Sequence, residues 1–191
     1  MNLGRTTAWL RSSSASIAGR LLDDVRTRYV EPRAVLLSAL VAGGLFAMIE
    51  VVGRALDPNE SVWDVPRRVS WLLLREDMQP TSTTSAPGLV LLALTIHAML
   101  STIYSMLIGL ATRCFRAVPA IVLGALIGLA IYLVNYYALT PFFPVFAEAR
   151  GLTAITAHVV FGGAAAATFR VVLTRPYCER SIPVTEPGES T

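Results

Sequence analysis

The chain has 191 residues, 54% of them hydrophobic and 15% charged, and carries a formal charge of +3, with a mean hydropathy of +0.58. A soluble chain has about 25% charged residues, and one of this length exposes too much surface to hide so many apolar side chains. A soluble globule, a disordered chain, a coiled coil and a nucleic-acid module are thereby excluded, and a single compact membrane bundle remains.

Residues 1–33 read as a cytoplasmic arm. Leu10, Ile17, Leu21, Val25 and Tyr29 recur there at sevens and fours, which predicts an amphipathic helix on the membrane surface. The Arg-rich, Ser-rich start, free of acids before Asp23, also fits a mitochondrial transit peptide, and a loose tail is the third reading. Four apolar stretches follow, each long enough for the roughly 20 residues that cross a hydrocarbon layer. They predict spans at about 34–53, 88–112, 117–140 and 152–173 within a membrane domain of residues 34–175. The outer loop 54–87 has an apolar side that includes Trp63, Trp71 and Leu72. This predicts a short helix from about Pro66, lying on the outer surface with its Trp residues at the headgroup level. The tail 176–191, with Pro, Gly and Glu crowded into its end, is expected to be disordered.

Every basic residue is Arg, and eleven Arg fall on the side of the termini against five on the other. The positive-inside rule therefore places both termini in the cytoplasm. Cys114 and Cys178 lie beyond the ends of apolar stretches, without a His at metal-ligand spacing, and read as ordinary thiols.

Small residues recur at fours in the first and third spans, as Ala39, Gly43 and Ala47 and as Ala120, Gly124 and Gly128. The second span matches them with His97, Ser101, Ser105 and Gly109, and the fourth with His158, Gly162, Ala166 and Arg170. Such stripes let helix backbones approach closely where lipid supplies no hydrophobic drive, and their pairing suggests a parallel two-helix repeat.

Counted from the inner edges at the helical rise per residue, Glu50 stands about 24 Å up, His97 and His158 about 22 Å, and Asn135 about 27 Å. All four would share the outer half of the bilayer, where ionisable groups turn toward the bundle interior or water. The sharpest expectation is one polar cluster of Glu50, His97, Asn135 and His158, with Tyr132 and Tyr136 nearby, responding to protons or ions. Plainer readings stand beside it: Glu50 paired with Arg54, each His bonded to backbone or hydroxyl, and Asn135 as interhelical glue. A further alternative has the two His facing each other to hold haem or a metal ion.

No glycine-rich phosphate loop, nucleophile elbow or paired-His zinc helix is present in the sequence. No catalytic residue and no resident cofactor are expected. Asn59, Glu60 and Ser61 match a glycosylation acceptor, a pattern common by chance. The runs Gly43 to Glu50 and Asp64 to Arg67, together with His97, Gly124 to Gly128, Phe143-Pro144 and His158 to Gly162, resemble small bacterial inner-membrane proteins related to YagU. The resemblance covers roughly residues 35 to 170 and implies a multi-pass protein of the bacterial inner membrane linked to acid tolerance, with no catalytic residues to carry over.

The sequence thus predicts an all-α bundle of four transmembrane helices, non-catalytic, with the lipid bilayer as its partner and no nucleic acid. The runner-up is an accessory subunit of a larger membrane complex, or a homo-oligomer, packed through the small-residue stripes.

Overall fold

The computed structural model describes residues 31–74 and 87–173. The chain divides into two units, Met1–Pro32 and Arg33–Thr191. The expected surface helix of the arm and the disordered tail lie outside the described residues.

Among the described residues the elements are all helical. They are α1 (Pro32–Leu56), α2 (Asp64–Ser70), α3 (Pro87–Thr112), α4 (Ala117–Leu133), a π-helical turn over Val134–Ala138, α5 (Val145–Glu148) and α6 (Leu152–Val172). Four of them, with the π turn counted as part of α4, are long and apolar enough to cross a membrane. They lie within a few residues of the predicted spans. Pro sets the starts: Pro32 and Pro87 occupy the first helical position of α1 and α3, where a missing N–H costs nothing and the fixed φ suits a helix. Helix α2 starts two residues before the predicted Pro66, which the first turn tolerates for the same reason.

Faces turned away from the bundle carry large apolar side chains; Leu40 and Val118 are 72% exposed and Val171 82%. In water that surface would be untenable, and in lipid it is the ordinary outer face of a membrane helix. All four long helices meet in one core, where Ala42, Ile108, Phe161, Ala165 and Ala166 are buried and Ile127 and Ile131 pack against them.

Small residues decide how close the helices come. A Cβ on Gly124 would strike the Gly162 carbonyl oxygen, one on Gly162 the Gly124 carbonyl, and one on Gly128 the His158 carbonyl. Helices α4 and α6 are therefore in backbone contact. Gly43 of α1 instead stands against the side chains of Ser101 and His97 on α3, so the two helix pairs meet through the expected stripes at different separations. Ala39 is buried beside Gly43, whereas Ala47 is only half-buried. Gly53 faces Thr153 and Gly109 faces the Phe169 ring, which ties α1 and α3 to α6.

Cys114, in the turn after α3, is disulfide-bonded, which corrects the expectation of an ordinary thiol. Position in a sequence does not reveal whether two Cα atoms come within bonding reach. Cys178 lies outside the described residues.

Candidate functional site

The connections after α1 and after α4 emerge at the same end of the bundle, opposite the tight α3–α4 turn. A cavity of about 180 Å³ lies at that end. Glu50, His97, Asn135 and His158, one from each long segment, all line it.

Glu50 and Arg54 face the cavity from the last turns of α1, and both are 5% exposed. Their spacing of four puts them on one helix face, and Arg54 Nη2 donates to Glu50 Oε2 at 3.2 Å. The same guanidinium reaches out of the helix, where Nη1 donates to Glu60 Oε2 at 2.7 Å. Arg68 of α2 lies 3.9 Å from the other oxygen of Glu60. Two acids and two Arg thus form one chain of balanced charge that ties the connection between α1 and α3 to α1. Glu50 Oε1, Arg54 Nε and Arg68 Nη1 are buried without a hydrogen-bond partner. Helix α2 closes the cavity with Val65, Arg68 and Val69, and Leu72 follows from the turn beyond it.

The imidazoles are oppositely bonded. His97 Nε2 lies 2.9 Å from the Gly43 carbonyl oxygen; a carbonyl only accepts, so Nε2 carries the proton. His158 Nδ1 lies 2.8 Å from the carbonyl of Ala154, so here Nδ1 is the donor. This leaves His158 Nε2 to accept from Asn135 Nδ2 at 3.4 Å, and Tyr104 donates its hydroxyl to Asn135 Oδ1 at 3.3 Å. The Phe46 ring packs against both imidazoles, 5.5 Å from His97 and 4.8 Å from His158 between centroids. Each imidazole spends one nitrogen on a backbone carbonyl, so joint ligation of haem or a metal ion by the pair would have to use His97 Nδ1 and His158 Nε2, with the Phe46 ring packed against both and Asn135 displaced from His158. Among the described residues no group of three His, Cys, Asp or Glu side chains is placed to hold a metal ion.

Asn135 sits inside the π turn, where Leu139 N–H bonds to the Val134 carbonyl at 2.9 Å. Widening a helix by one residue leaves a carbonyl without its usual donor. Here the Tyr136 carbonyl accepts from Arg150 Nε at 2.8 Å and from Thr140 Oγ1 at 2.6 Å. Arg150 also lies over the Tyr137 ring, 4.3 Å from its centroid. The wide turn places the neighbours Asn135 and Tyr136 both in the cavity wall. Tyr132 stacks on Tyr136 at 5.0 Å, and both rings meet His158 edge-on.

Five contributors were absent from the predicted cluster: Phe46, Tyr104, Arg54 as a wall residue, and Arg68 with Glu60 from the connection between α1 and α3. A single aromatic in an apolar run carries no signal, and hydrophobic periodicity does not trace the path of a loop. The fold and site define an all-α, multi-pass membrane protein with an amphipathic cavity at one end. No family model, characterised protein or solved structure matches this chain.

Proposed function

We propose that this chain is a proton- or ion-responsive protein of the bacterial inner membrane, with both termini cytoplasmic and the cavity in the outer half of the bilayer. The observation that carries this reading is the convergence of a buried, charge-balanced network with a Tyr104–Asn135–His158 hydrogen-bond chain on one cavity. Ionisable groups inside a membrane are costly and are kept where they act. Protonation of Glu50 would remove the inner partner of Arg54 and loosen the hold of α1 on the outer connection. The likeness to YagU-related proteins and the bias of Arg toward the termini support the membrane and the orientation.

The accessory-subunit alternative gains nothing from the stripes. Gly43, Gly124, Gly128 and Gly162 are spent on contacts within the chain, which leaves Leu, Val and Met side chains to face lipid.

Trp63 and Trp71 flank α2 and report its movement. In nanodiscs, tryptophan emission titrated from about pH 8 to about pH 5 should follow a sigmoid in the native protein and flatten in Glu50→Gln. A native curve that is flat, or a curve that survives in Glu50→Gln, removes the reading.

A further inference from the structure

Aromatic and aliphatic groups such as Phe46, Phe146, Phe161 and Leu100 line the cavity together with the Tyr104–Asn135–His158 chain, and Glu50, Arg54 and Arg68 form a charged group joined through Glu60. Within the charged group three buried atoms lack partners: one acceptor, Glu50 Oε1, and two donors, Arg54 Nε and Arg68 Nη1. A buried polar atom left unpaired costs free energy that a bound group can recover.

We propose that the cavity binds a small neutral amphiphile of the phenol class, with its ring among the aromatic side chains and its hydroxyl at the Glu50–Arg54–Arg68 group. Three features select this class. The volume of about 180 Å³ suits one six-membered ring with a substituent, since apolar cavities of about 150 Å³ take up benzene. Charge selects a neutral occupant: Glu50 and Glu60 already balance Arg54 and Arg68, and an added ion would stand uncompensated in a buried site. The unpartnered set selects a hydroxyl, because one O–H group donates to a carboxylate oxygen and accepts from a guanidinium at once. Such a molecule partitions into the outer leaflet and reaches the cavity from there. This assignment shares its cavity with the proton-responsive reading but does not depend on titration of Glu50.

Fluorine NMR of the full-length protein in nanodiscs tests it, with 4-fluorophenol, fluorobenzene and 4-fluorobenzoate as probes. 4-Fluorophenol should show a saturable bound resonance that unlabelled phenol displaces, beyond the linear partition into lipid. Fluorobenzene should bind at least about tenfold more weakly, for want of the charge-assisted hydrogen bonds, and 4-fluorobenzoate should not compete. Leu100→Phe, which fills the space for the ring, should abolish the saturable signal. Equal binding of fluorobenzene, tighter binding of 4-fluorobenzoate, or no signal that phenol displaces from the native protein would each overturn the assignment. The displacement arm needs no variant to fold. A flat pH response alongside saturable phenol binding would sink the proton reading and leave this one standing.

Discussion

Arg54 serves two carboxylates with one guanidinium, and the burial of those carboxylates differs. The Glu50 side chain is 6% exposed and that of Glu60 34%. Removing the Arg leaves a buried carboxylate without its counter-charge, which costs about 3 kcal/mol or more, while loss of the one-third exposed Glu60 carboxylate costs less, because solvent screens that pair and Glu50 still faces Arg54. Arg54→Gln should therefore lower the thermal midpoint in detergent markedly, and Glu60→Gln only slightly; equal losses would contradict the ranking. At this scale the polar members of the site were legible in the sequence. A Glu, an Asn and two His within apolar runs are conspicuous, and the helical rise sets their depth. The plainer readings were legible too: Glu50 does pair with Arg54, and each His does bond to a backbone carbonyl. What the sequence could not show is that Phe46 would pack against both imidazoles, since nothing distinguishes that ring from any other apolar residue of its helix.

For the helices, spacing at fours was a reliable guide to which faces meet and a poor one to how closely. Gly124 and Gly162 bring two backbones together, whereas Gly43 makes room for side chains; identical periodicity yields both. Gly162→Ala should sharply reduce thermal stability and scatter the protein on size exclusion, because the clash is with backbone, which cannot move aside. Gly44 has nothing within 4 Å of a built Cβ, so Gly44→Ala should be neutral or stabilise α1 by about 0.5–1 kcal/mol. A destabilised Gly44→Ala with an unperturbed Gly162→Ala would contradict this packing. The π turn at Val134–Ala138 left no mark that periodicity could register. Its compensation is tertiary, from Arg150 across the turn, and a sequence window does not contain that information.

Across the molecule, composition and span length settled the architecture, because only helices and closed barrels satisfy the backbone in lipid and apolar runs of about 20 residues suit helices. The disulfide at Cys114 bears on the orientation that the Arg bias supports. Disulfides persist in oxidising compartments and are rare in the cytosol. With the α3–α4 turn inside, Cys114 should be reduced in living cells and form the bridge only after oxidation. A mass tag added to intact cells by a permeant thiol reagent should then modify it. A Cys114 that resists labelling in cells until reductant is added would place that turn outside and reverse the orientation.

Polar groups from separate spans meet inside the bundle. Solid-state NMR of isotopically labelled protein in lipid bilayers tests this directly through the two imidazoles. Nε2 of His97 and Nδ1 of His158 should each carry a proton hydrogen-bonded to a backbone carbonyl, and Asn135 Nδ2 should show a through-space correlation to His158 Nε2. A bare Nε2 on His97 or a bare Nδ1 on His158, or a His158 ring that correlates with acyl-chain protons and not with Asn135, would contradict this arrangement.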